Sequence, residues 1–205
     1  MSIHCKLCEK RRARRFCPGV SAEICPQCCG TGREITIDCP LDCEFLREAR
    51  VHERPAPLTE KDIPNLDIEL KESFIQEHER EVMVLSLALA RAMERERAVD
   101  LDAREALDSL VRTYRTLQSG LIYESRPPNP YAAGIQERLV LAIEELRKDM
   151  AEEAGMEKLR DADVLGTLVF LQRLEIQHNN GRRRGRAFFD FLRMYFPEPV
   201  QDVQV

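Results

Sequence analysis

Tryptophan is absent from this chain, and phenylalanine and tyrosine together make up only 6% of it. Its core must therefore rest on Leu, Val, Ile, Ala and Met. No apolar run approaches the ~20 residues that span a bilayer. The closest, Val82 to Ala90, is ended by Arg91. The opening residues, MSIHCK, contain no apolar signal core, so the expectation is a cytoplasmic protein that is not exported. Cationic excess is also missing, and a formal net charge of −5 argues against a general polyanion binder. Cysteine is the most uneven residue: none follows position 43 in a chain of 205.

What is there instead is concentration. All eight cysteines fall between Cys5 and Cys43, separated by two, eight, seven, two, zero, nine and three residues. Cysteine in CxxC and CxxxC pairs at this density is the spacing of tetrahedral zinc. A reducing compartment favours thiolates on metal over disulfides. Cys5-Lys-Leu-Cys8 is one knuckle and Cys25-Pro26-Gln27-Cys28 a second, followed by Cys29-Gly30. Between them, Cys17-Pro18-Gly19 is a turn signal, which predicts a short β-hairpin closed around Pro18-Gly19. Arg33 to Ile37 alternates charged with β-branched residues and predicts a short strand. Cys39-Pro40-Leu41-Asp42-Cys43 opens a helix to about His52, with Pro40 at its first position and Asp42 and Glu44 at its positive end. Knuckle, hairpin and helix together make a treble-clef-like module.

The order pair, single, pair, pair resembles the cross-brace zinc modules of the B-box, HIT and MYND type. The resemblance covers about a quarter of the chain. In those modules the first and third pairs hold one zinc and the second and fourth hold the other. It implies one site from Cys5, Cys8, Cys25 and Cys28, and a second that receives Cys17, Cys39 and Cys43. This chain departs from the pattern at Val20, where a partner for Cys17 is expected; Cys29 is the substitute, ahead of His4 and His52. Sequential pairing is the rival, with Cys25, Cys28, Cys39 and Cys43 in one site and Cys5, Cys8, Cys17 and Cys29 in the other. Either way two structural Zn²⁺ use all eight thiolates and leave no open position of the kind a catalytic zinc needs. An iron–sulfur cluster is the other Cys₄ chemistry.

The remainder reads as helices. Residues 54–65, with three prolines, form a linker, and a long helix begins at Leu66 and is apolar nearly all round from Val82 to Met93. A second helix starts at Asp100 or Asp102, with Glu105 completing a capping box, and stops at Gly120. Asn129-Pro130 caps a third, with Ile135, Leu139, Ile143 and Leu146 as its stripe. A fourth runs from about Asp161 to Asn179, and a short one from Arg186 to Phe196. The fold class is mainly α: a two-zinc module over residues 1–53, a linker over 54–65, a four- to five-helix bundle over 66–197 and a flexible tail over 198–205.

Three constellations in the helical part could carry chemistry. Glu175 and His178 form a single ExxH step, but a carboxylate-bridged di-iron bundle needs two such steps. Arg173 and His178 resemble the R-x4-H motif of HEPN ribonucleases, in which Arg and His act at an RNA phosphate. Here Leu174 follows the arginine where that family has a polar residue. Two basic clusters, Arg11, Arg12, Arg14 and Arg15, and Arg182, Arg183, Arg184 and Arg186, are candidates to grip a phosphate backbone. The leading expectation is a non-enzymatic, zinc-binding interaction or adaptor protein with a protein partner, capable of self-association and without membrane contact. Nucleic-acid binding through the arginine clusters and a HEPN-like ribonuclease are the alternatives.

Overall fold

The computed structural model describes residues 4–53, 57–153 and 158–197. The chain is mainly helical, with one two-stranded hairpin near its start. β1 (Arg15–Cys17) and β2 (Ala22–Ile24) pair antiparallel, with Cys17 opposite Ala22 across the expected Pro18-Gly19 turn. Gly19 is required there, because a Cβ would overlap the carbonyl oxygen of Asp38. The second knuckle then continues into α1 (Pro26–Gly32), which the sequence reading passed over. Cys25 caps α1 by accepting the Cys28 N–H on its sulfur at 3.4 Å, and Pro26 takes the first turn.

The strand expected over Arg33–Ile37 does not form. The N–H groups of Ile35, Thr36 and Ile37 all turn back to the Gly32 carbonyl, and Glu34 is left-handed at φ 51°. The expected helix at Cys39 is also displaced. Residues 39–42 form a turn closed by the Cys43 N–H on the Pro40 carbonyl, and α2 runs over Glu44–His52 with Cys43 as N-cap.

Leu66 does not open a helix either. Asn65 is left-handed at φ 54°, and the Arg173 guanidinium takes the carbonyls of Pro64, Asn65 and Ile68, so residues 64–68 lie as a strap across the bundle. Helix begins only at α3 (Phe74–Glu77), breaks at His78 and resumes as α4 (Glu79–Glu96). Phe74 seats against Gly166, where a Cβ would stand 2.9 Å from its ring.

The bundle is completed by α5 (Asp100–Gln118), α6 (Pro130–Glu152), α7 (Asp161–His178) and the short α8 (Ala187–Tyr195). α6 and α7 begin at the expected residues, and Asn129 caps α6 through the Tyr131 N–H. α5 instead has Val99 as N-cap, and the Asp102 carboxylate closes the first turn on the Val99 N–H. α4 and α5 are joined by only Arg97–Val99, yet α4 packs chiefly against α6, and α5 against α7 and α6, rather than against each other. Leu85, Leu89, Met93, Leu107, Leu110, Ile135, Leu139, Ile143 and Leu146 fill the space between them. Each such side chain stabilises the fold by about 1.5–3 kcal/mol when fully buried. Among the described residues no helix is long and apolar enough to cross a membrane.

The cysteine module is docked on the bundle. Leu41 packs into both hydrophobic clusters. Glu34, fully buried, accepts from Arg50 of α2 at 2.9 Å, from Asn180 at 2.7 Å and from the Arg186 backbone N–H at 3.1 Å. Arg50 also pairs with Asp190 of α8, Arg182 with Glu53, and Arg186 with Asp38. Residues 54–56 and the tail over 198–205 lie outside the described residues.

Candidate metal centre

Local chain chemistry places the first four sulfurs. A turn follows Cys5, with the Glu9 N–H on the Cys5 carbonyl, and it sets Cys8 beside Cys5. The Lys6 N–H bonds to the Glu23 carbonyl and so brings this knuckle against the end of β2, from which Cys25 and Cys28 follow directly. As a result the sulfurs of Cys5, Cys8, Cys25 and Cys28 all lie within 4.8 Å of one another. A tetrahedral ion with ~2.3 Å metal–sulfur bonds sets its ligands ~3.8 Å apart, and four sulfurs grouped this closely could hold one.

The electrostatics of the cluster point the same way. Burial pushes the Cys5 thiol up, but N–H groups of Cys25, Cys8 and Leu7 outweigh that and lower it to about 6. Cys25 is lowered as well, first by the Cys28 N–H. Cys28, sharing its proton with the Cys25 sulfur, is pushed up to about 12. Four thiolates cannot all ionise this close together without a cation among them, and a divalent ion removes that conflict. Arg11 adds one further positive group, 4.0 Å from the Cys25 sulfur.

The remaining four, Cys17, Cys29, Cys39 and Cys43, line one small enclosed cavity of about 10 Å³ beneath the hairpin, walled by Ile24, Ile37 and Leu46. Burial pushes the Cys39 thiol up, and the neighbouring Cys17 and Cys43 act in the same direction. Arg15 approaches the Cys29 sulfur at 3.7 Å and lies over the Phe45 ring at 4.2 Å. Among the described residues Cys5, Cys8, Cys25 and Cys28 are the one group of three or more such ligands whose donor atoms lie within 4.8 Å of one another. His4 and His52 are both exposed and join neither group, and Val20 packs against the module's core.

The candidates in the helices are dispersed. Arg173 is turned to the strap carbonyls, at 2.7 Å from Asn65 and 2.8 Å from Ile68. His178 stacks on Phe191 of α8 with ring centroids 3.7 Å apart, and burial lowers its pKa. Glu175 is fully buried against Arg104 at 2.8 Å rather than facing His178. A cleft of about 730 Å³ between module and bundle does include His178, with Arg50, Arg104 and Arg182, but not Arg173. Each of those three arginines already has a carboxylate partner.

Of the eight clustered arginines, Arg11 and Arg15 face sulfurs, while Arg182 and Arg186 hold the module to the bundle. Arg12, Arg14, Arg183 and Arg184 are exposed. Sequence reasoning missed Glu34, on which this junction converges. Nothing in the pattern around it signals burial, since a glutamate in an alternating segment reads as a solvated strand position.

No protein-family model, no curated protein and no solved structure matches this chain.

Proposed function

We propose that the protein is a non-enzymatic interaction or adaptor protein whose N-terminal module is folded around two structural zinc ions. Cys5, Cys8, Cys25 and Cys28 would hold the first, and Cys17, Cys29, Cys39 and Cys43 the second. The module is then a cross-brace in which Cys29 replaces the ligand that Val20 does not provide. The observation that carries this reading is the convergence of four sulfurs, from two knuckles seventeen residues apart in sequence, into one tetrahedron-sized group. The shared cavity of the other four supports the second site.

Zinc supplies cross-linking here, not chemistry. With four thiolates on each ion no position is left for a water or a substrate. The module's apolar cluster is largely cysteine, with Ile24, Ile37 and Leu46 as its buried aliphatic members. So small a core is the kind that metal ligation completes. The test is elemental analysis of purified protein together with two variants. Two zinc ions per chain are expected, falling to one in Cys25→Ser and to one in Cys39→Ser. A single zinc in the parent, or iron with visible colour, overturns the assignment.

A further inference from the structure

The connection from α5 to α6 leaves unusual apolar surface in water. Ile122 is 97% exposed, and Leu141 on α6 is 58% exposed. Alongside runs a groove of about 390 Å³, within the ~300–1,000 Å³ range of ligand sites. Its apolar side is Pro127, Val140 and Leu141, and its rim carries Glu124, Glu137 and Glu144. Arg126 neutralises Glu124 at 3.4 Å, but among the described residues Glu137 and Glu144 form no ion pair. Gln136, only 3% exposed, also lines the groove. Its Nε2 donates to the Ser125 carbonyl at 2.7 Å, and its Oε1 is buried without any donor. A buried acceptor without a partner is uncommon and calls for one.

We propose that this groove docks a basic–apolar segment of a partner protein. A lysine or arginine of the segment is held by Glu137 and Glu144, a neighbouring apolar side chain covers Val140 and Leu141, and an N–H donor reaches Gln136. Polyanions and acidic peptides are repelled by the rim. A second copy of this chain docked face to face would oppose the same carboxylates across a two-fold axis, which charge disfavours. No cysteine lines the groove, so the fate of this proposal is separate from that of the metal sites.

The test uses full-length, metal-loaded protein and a fluorescein-labelled peptide of alternating leucine and lysine, read by fluorescence anisotropy. Serine–lysine and leucine–glutamate peptides are the comparisons. Binding is expected for leucine–lysine, with affinity at least about tenfold lower for either comparison peptide. The double variant Glu137→Lys/Glu144→Lys and the variant Leu141→Ser should each weaken it by about tenfold or more. The same charge change outside the groove, Glu145→Lys/Glu152→Lys, should leave it within about threefold. All substituted positions are exposed, and circular dichroism checks that each variant folds. Absent binding, equal binding of the serine–lysine peptide, or equal losses in groove and control variants overturns the proposal. A concentration-dependent dimer in sedimentation velocity that Leu141→Ser abolishes also overturns it, in favour of a second copy.

Discussion

Replacing Glu34 by alanine removes the one carboxylate on which module and bundle converge. Its carboxylate is fully buried and receives Arg50 at 2.9 Å, Asn180 at 2.7 Å and the Arg186 N–H at 3.1 Å, with Arg182 at 3.8 Å. Removing one partner from a buried ion pair costs about 3–5 kcal/mol, because the other charge is left desolvated. Here Arg50 keeps Asp190 and Arg182 keeps Glu53, which places the loss at the lower end of that range. The stranded Asn180 amide and Arg186 N–H add to it wherever they stay dry. The expected loss is therefore about 3–4 kcal/mol, against a total stability of about 5–15 kcal/mol for a typical domain. Glu34→Gln keeps one accepting oxygen and should lose less, about 2 kcal/mol.

The measurement is urea unfolding of metal-saturated protein followed by far-UV circular dichroism, with amide hydrogen exchange at Arg184 and Arg186. The Arg184 N–H donates to the Glu34 carbonyl and the Arg186 N–H to its carboxylate, so both should exchange faster in the alanine variant. A loss under about 1 kcal/mol with unchanged exchange at both amides would refute the reasoning, since the junction would then be solvated rather than sealed.

Three further outcomes follow from the same structure. Asp100, 2% exposed, caps α8 through the N–H groups of Phe188 and Phe189, and burial pushes its carboxyl up from 3.8 to about 7. The folded chain thus keeps a proton that the unfolded chain releases above about pH 4, so stability falls as pH rises towards 7, by at most about 4 kcal/mol. Asp100→Asn should close on or overtake the parent in stability as pH is raised across that window, and a constant gap would count against the buried, proton-holding carboxyl. Arg173→Ala should cost about 1–3 kcal/mol and speed proteolysis within residues 64–68, where it leaves the Pro64 and Ile68 carbonyls unpaired and Asn65 with only the Ile68 N–H, while His178→Ala leaves that segment protected. Equal proteolysis of the parent and Arg173→Ala would show that the strap does not depend on the arginine. Gly19→Val drives a side chain into the Asp38 carbonyl beside the second cysteine group and, with two zinc ions bound as proposed above, should cut the zinc content from two to one. Retention of both ions would separate that turn from the site.

Much of the helical part was legible because apolar spacing and capping chemistry are local. Asn129-Pro130 starts α6, Asp161 starts α7, and the stripe Ile135, Leu139, Ile143 and Leu146 is buried as its period requires. The hairpin was legible for the same reason, since Pro18-Gly19 allows little else. Misreadings arose where a distant group captured the backbone. Leu66 opens a segment rich in helix formers, but Arg173, more than a hundred residues later, takes the strap's carbonyls. Arg33–Ile37 has strand composition, but the buried Glu34 carboxylate requires a left-handed turn that points it at Arg50 and Asn180.

The cysteines divide along the same line. Their number, pairing and confinement to the first 43 residues come from sequence alone, because metal ligation needs particular residue types at short spacings. Which pairs meet was open between the cross-brace order, which groups Cys5, Cys8, Cys25 and Cys28, and sequential pairing. Cys5 and Cys8 join Cys25 and Cys28, rather than Cys17 and Cys29, because the hairpin folds the Lys6 N–H onto Glu23, a contact no local pattern encodes. The arginines of the loop before α8 show the same limit. Sequence makes Arg182 and Arg186 cationic, whereas the tertiary structure commits them to Glu53 and Asp38, where three-dimensional proximity, not composition, assigns each charge its partner.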